Sequence, residues 1–232
     1  MLICNSNNFV FIRVPKTGST SALFYFLNSG LYDESKDNVV LEQPFISWSE
    51  MEKHFTEYPD NYIEAAMPLL RERRLLTYSD VHASYSELIG QGKASKDTPC
   101  YSVIRNPIDW LSSIYYYEKK MAHADAIKKD LNEFCYAACI KGESVSPKHA
   151  KRLQSSYFPE HAKLWNTENL HEHAVNDITA LGGKVDKKIY VRKTHSTPKD
   201  YQSLISQEVI QMIELKYLKD FELWEKAYAV YN

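Results

Sequence analysis

The chain has 232 residues, 44% of them apolar and 25% charged, a composition that fits a globular protein with a sizeable core. Its 28 basic and 30 acidic side chains leave a formal net charge of −2, which gives no basis for a general nucleic-acid surface, so any anion site must be local. The opening residues show neither a basic run nor a long apolar stretch, so the expectation is a cytoplasmic protein without signal peptide or membrane anchor.

Cys4, Cys100, Cys135 and Cys139 are too few and too scattered for a disulfide framework and are expected as reduced thiols. There is no repeat, low-complexity tract or linker, so residues 1–232 are expected to form a single domain.

In chain order, Phe9–Val14 is rich in β-branched and aromatic residues and predicts a buried strand ended by Pro15. Leu23, Phe26 and Leu27 then recur at helical spacing, with Ser19 to Ser21 suited to a helix start and Asn28-Ser29-Gly30 to its end. Residues 33–73 predict short helices and loops. Further strands are predicted at Arg74–Ser79, Cys100–Ile104 and Lys188–Val191. Asn106-Pro107 supplies an N-cap and a first-position proline for a second helix. Helices are also predicted at about 125–141, 147–155, 168–181 and 206–230. Strands alternating with helices imply an α/β fold with a central parallel sheet flanked by helices, whose ligands bind beyond the carboxyl ends of the strands.

Two segments carry chemistry. Arg13-Val14-Pro15-Lys16-Thr17-Gly18-Ser19-Thr20-Ser21 joins a strand to a helix and combines a lysine, a glycine and four hydroxyl residues. Helix N-terminal amides attract an anion, small residues let it approach the backbone, and Lys16 adds a point charge. The lysine precedes the glycine, unlike the ATP-binding loop with its terminal Gly-Lys-Ser/Thr. The second segment, Tyr101 to Ser113, places Arg105 at a strand end, where it can grip a phosphate bidentately, with Ser113 two turns into the helix.

The first segment resembles the 5′-phosphosulfate-binding loop of sulfotransferases that use 3′-phosphoadenosine 5′-phosphosulfate (PAPS), and the second resembles their 3′-phosphate segment. The likeness is greatest to the heparan sulfate 2-O-sulfotransferase and uronyl sulfotransferase group, and it runs through Tyr115-Tyr116-Tyr117. His82-Ala83-Ser84-Tyr85 resembles the catalytic-histidine segment of that group, and Arg192-Lys193-Thr194 its C-terminal basic loop.

The resemblance implies a P-loop-like sulfotransferase fold, PAPS as sulfo donor, the desulfated nucleotide PAP as product, and a small-molecule or glycan hydroxyl as acceptor. It implies cofactor contacts from Arg13, Lys16, Thr17, Gly18, Ser19, Thr20, Ser21, Arg105, Ser113, Arg192, Lys193 and Thr194, catalysis by Lys16 and His82, and no metal. Gly18 stands where the group usually has alanine, and the near-neutral composition does not suit a long polyanionic acceptor.

Asp80, His54 and His195 are the alternative bases. The alternative functions are an ATP-dependent kinase-like enzyme and an inactive PAP- or PAPS-binding module. Cys135/Cys139 and His171/His173 are read as structural pairs, and the tyrosine run as core and groove wall.

Overall fold

The computed structural model describes residues 1–33, 36–39, 82–120, 128–140, 152–186 and 200–231. Arg74–Ser79, Lys188–Val191, His54, Asp80, Arg192, Lys193, Thr194 and His195 lie outside the described residues. The strands are β1 (Leu2–Cys4), β2 (Phe9–Ile12), β3 (Asn38–Val39), β4 (Cys100–Ile104) and β5 (Lys163–Asn166). The helices are α1 (Ser19–Leu27), α2 (Tyr85–Gly90), α3 (Pro107–Lys120), α4 (Leu131–Ile140), α5 (Leu170–Ala180), α6 (Gln207–Lys216) and α7 (Leu218–Tyr228).

The five strands form one sheet in the order β3-β1-β2-β4-β5. It is mixed rather than parallel: β2, β4 and β5 run parallel, while β1 pairs antiparallel with both β2 and β3. The expected parallel sheet is thus correct for three central and edge strands and wrong for the β1 side. Leu2–Cys4 carries no strand signal, because three apolar residues joined to β2 by a short turn show no measurable period. β5 carries no strand signal either, since only Trp165 and Asn166 of its four residues are buried.

Every residue of β2 and of β4 is buried, as expected of strands covered on both faces. On one face Phe9, Phe11, Tyr101, Val103 and Trp165 pack against α1 and α5, with Phe26 stacked on Trp165 at 5.0 Å between ring centroids. On the other, Val10, Ile12 and Ile104 pack against Leu88 of α2 and Ala227 of α7. A third cluster joins α3, α4 and α6 beside the sheet. The predicted helix over 206–230 is two helices, broken where Tyr217, 1% exposed, sets its ring against Trp110 at 6.0 Å. Neither glycine nor proline marks that break; tertiary packing imposes it.

β2 stops at Ile12 rather than Val14, because Ile12 is the last residue paired, opposite Ser102 of β4. Since β2, β4 and β5 are parallel, the segments leaving their carboxyl ends, beginning at Arg13, Arg105 and Thr167, emerge along one edge of the sheet. Among the described residues, no helix is long and apolar enough to cross a membrane.

Candidate anion-binding site

The loop from Arg13 to Gly18 is shaped by donors to four successive carbonyls. The Thr17 and Ser19 hydroxyls donate to Val14 O at 3.0 and 2.8 Å. Trp110 Nε1 of α3 donates to Pro15 O at 2.7 Å, and the Arg105 guanidinium to Lys16 O at 3.3 Å. The Thr167 hydroxyl, just past β5, donates to Thr17 O at 3.0 Å and to Ile104 O at 3.3 Å. The loop is therefore held by groups from the ends of two other strands and from α3. These bonds keep Lys16 at φ +62°, a left-handed conformation that costs a residue with a side chain about 1–2 kcal/mol. Strain of this kind collects at functional sites, where surrounding structure enforces it.

Gly18 is the N-cap of α1 at φ +77°. No side chain caps the first turn of α1 and no acid lies in it, so the positive end of the helix dipole has no anion of its own. The backbone at this position favours glycine. A Cβ would meet only Thr167 Cγ2 at an ordinary 3.5 Å, but the positive φ penalises it. Gly18→Ala is expected to lower unfolding free energy by about 1–2 kcal/mol, read from urea denaturation midpoints at constant slope.

The second motif meets the first through one face of α3. Asn106 Oδ1 accepts from Ile108 N at 3.0 Å and Pro107 opens the helix, as the sequence predicts. Trp110, Ser113 and Tyr117 follow at three- and four-residue spacing and share a face. Trp110 reaches Pro15, and the Tyr117 ring lies 4.1 Å below Lys16 Nζ, which puts half-buried Ser113 on the side of α3 that faces the loop. Arg13 braces the start of α1, its guanidinium donating to Thr20 Oγ1 at 2.8 Å. The Thr17 and Ser19 side chains are buried and committed as donors to Val14, so they shape the loop; half-buried Thr20 and Ser21 lie in the first turn of α1.

Two cations sit close together here. Burial, and next the neighbouring Arg105 charge, push the Lys16 ammonium down from 10.5 to about 8. Burial also lowers Arg105, opposed by Asp109 and Glu168, and the guanidinium stays charged. Asp109 accepts from the Tyr201 hydroxyl and Glu168 from Trp224 Nε1 at 3.2 Å. Among the described residues no carboxylate lies within ion-pair distance of Lys16 or Arg105. Two half-buried like charges beside an uncapped helix start are an arrangement that an anion would stabilise.

His82 joins the same loop. Its Nδ1 lies 2.7 Å from Arg13 O, and because a carbonyl only accepts, Nδ1 is the donor, so that in the neutral ring the lone pair is on Nε2. Ser84 caps α2 in a reciprocal capping box with Glu87. Arg152 holds that carboxylate down at about 2, chiefly by its hydrogen bond, with further amide and hydroxyl donation from Ser84. The serine of the His-x-Ser-Tyr segment thus fixes the helix that follows His82.

The structure brings together Arg13, Lys16–Ser21, His82, Arg105 and Ser113. It adds Tyr117, Trp110, Thr167 and Gln154. Tyr117 and Trp110 were legible from their spacing relative to Ser113; Thr167 and Gln154 lie in segments without a motif. His171 and His173 fall within α5 and face different partners, Tyr25 OH at 3.1 Å and Asn166 Nδ2 at 3.2 Å. Cys135 is fully buried and Cys139 half-buried on α4.

The fold and this site define an α/β protein with a preformed cationic cradle at the carboxyl edge of a mixed sheet. No family model, curated protein or solved structure matches the chain.

Proposed function

We propose that the chain is a PAPS-dependent O-sulfotransferase with a P-loop-like sulfotransferase fold, acting on a hydroxyl of a small-molecule or glycan acceptor. The observation that carries this reading is the convergence of Lys16 and Arg105, neither paired with a carboxylate among the described residues, on the uncapped start of α1. Two neighbouring cations beside an uncapped helix start suit an anionic ligand, and donors of this kind bind phosphate groups such as those of PAPS.

When bound, PAPS supplies a sulfo group on a good leaving oxygen. The first turn of α1 would hold the 5′ end by its amides, with Thr20 and Ser21 hydroxyls at hand. Arg105 and Ser113 would hold the 3′-phosphate, joined in this proposal by Arg192, Lys193 and Thr194. Lys16 would neutralise the negative charge that grows on the bridging oxygen as its bond to sulfur breaks. His82 Nε2 would take the acceptor proton as the acceptor oxygen bonds to sulfur.

Arg105→Ala is expected to weaken PAP binding at least about tenfold, since a charged contact to a half-buried anion is worth on the order of 1.5–3 kcal/mol. Calorimetry measures it. Equal affinity of the wild-type protein for PAP and 5′-AMP would remove the basis for the assignment.

A further inference from the structure

Arg105 is the first residue beyond the paired part of β4, where Ile104 is opposite Asn166 of β5. Its backbone groups nevertheless have partners, both from one side chain. Gln154 Oε1 accepts from Arg105 N at 3.0 Å, and Gln154 Nε2 donates to Arg105 O at 2.9 Å. Only one orientation of the amide satisfies both, because the backbone N–H needs an acceptor and the carbonyl a donor. The side chain of Gln154 therefore acts as a one-residue extension of the sheet.

Gln154 is fully buried and is itself anchored. Asp220 of α7, also fully buried, accepts from Gln154 N at 2.9 Å and from Ser155 N at 2.8 Å, one bond to each carboxylate oxygen. Burying a carboxylate is costly unless its hydrogen bonds are made, so the turn at Gln154–Ser156 is held in one place by α7. The chain of contacts runs from Asp220 through Gln154 to the backbone of Arg105, and through the Arg105 guanidinium to Lys16 O at 3.3 Å. A rotation of the Arg105 backbone would be magnified along its side chain, so the backbone clamp sets where the guanidinium lies.

We infer that Gln154, anchored by Asp220, is a positioning residue that aims Arg105 at the 3′-phosphate and thereby sets the preference of the site for a 3′-phosphorylated nucleotide. This rests on the reading of the site as a PAP and PAPS site.

The test compares PAP and 5′-AMP affinities, by calorimetry, for the wild-type protein, Gln154→Met, Arg105→Ala and the double variant. Gln154→Met is expected to weaken PAP about tenfold and to leave 5′-AMP within about twofold. In the Arg105→Ala background it is expected to change PAP affinity no further, because its effect passes through Arg105. Equal weakening of both nucleotides, additive loss in the double variant, or an intact PAP preference in Gln154→Met would each overturn the inference while leaving the functional reading in place. Absence of any PAP preference in the wild-type protein would overturn the reading and the inference with it. Should Gln154→Met not fold, Gln154→Glu carries the same comparison: it keeps the length and the acceptor for Arg105 N, and loses the donor to Arg105 O.

Discussion

Replacing Lys16 by alanine is expected to lower kcat about 10²- to 10³-fold, the usual cost of losing one preorganised group that stabilises developing charge. PAPS affinity should fall far less, because the charge on the bridging oxygen grows only as the bond to sulfur breaks. The ammonium lies over the Tyr117 ring at 4.1 Å, beside the backbone carbonyl that Arg105 grips. It is also poised in charge: burial and then Arg105 lower it to about 8.

Between about pH 8 and its ordinary 10.5 the folded protein holds Lys16 largely neutral while the unfolded chain holds it protonated. Stability from this group therefore rises with pH across that window. An anion in the cradle restores the charge. PAP binding at about pH 9 is accordingly expected to take up a proton, seen as a dependence of binding heat on buffer ionisation heat, and Lys16→Ala should abolish that uptake. Single-turnover kinetics separate the catalytic part: an unchanged kcat with a raised KM would contradict the role given to Lys16.

His82→Ala is expected to lose about 10²- to 10⁴-fold in kcat while binding PAP normally, the range for a positioned proton acceptor. The hydrogen bond from Nδ1 to Arg13 O makes Nδ1 the donor, and it ties the ring to the loop that carries Lys16. The same bond makes a structural role the competing explanation. The two separate cleanly when transfer rate and PAP affinity are measured on one variant. Near-normal turnover would exclude His82 as the base, and turnover lost together with PAP binding would mark it as a support for the loop.

Much of the site was legible because local sequence encodes it. The β2-loop-α1 and β4-loop-α3 units follow from apolar runs that give way to helical spacing, with Asn106-Pro107 marking the second helix start, and Lys16 and Arg105 fall in the turns between. The sheet was half legible. β2 and β4 are buried along their whole length and read as continuous apolar runs; β1, also buried throughout, is only three residues long, and β5 buries two of its four residues, so neither shows a period. The antiparallel pairing of β1 with β2 is a consequence of the short connection between Cys4 and Phe9, and it changes the sheet from parallel to mixed without touching its carboxyl edge.

The supports of the site were not legible. Thr167 holds the loop by a hydroxyl from the end of an unread strand, and Gln154 holds Arg105 from a turn without a motif, so each has meaning only once distant segments are folded together. The left-handed φ of +77° at Gly18 is likewise not carried by the sequence, and it is what makes glycine the suited residue there.

A cradle made for a nucleotide bearing phosphate at both the 3′ and 5′ positions should distinguish PAP from ADP and ATP in thermal-shift measurements under one set of conditions. At about 100 times its dissociation constant a ligand adds about 2.7 kcal/mol of stability, which for a chain of this size raises Tm by roughly 5–10 °C. The expected result is a shift of that order with PAP and little or none with ADP or ATP at the same concentration. A larger shift with ATP, or equal shifts with all three, would contradict the account.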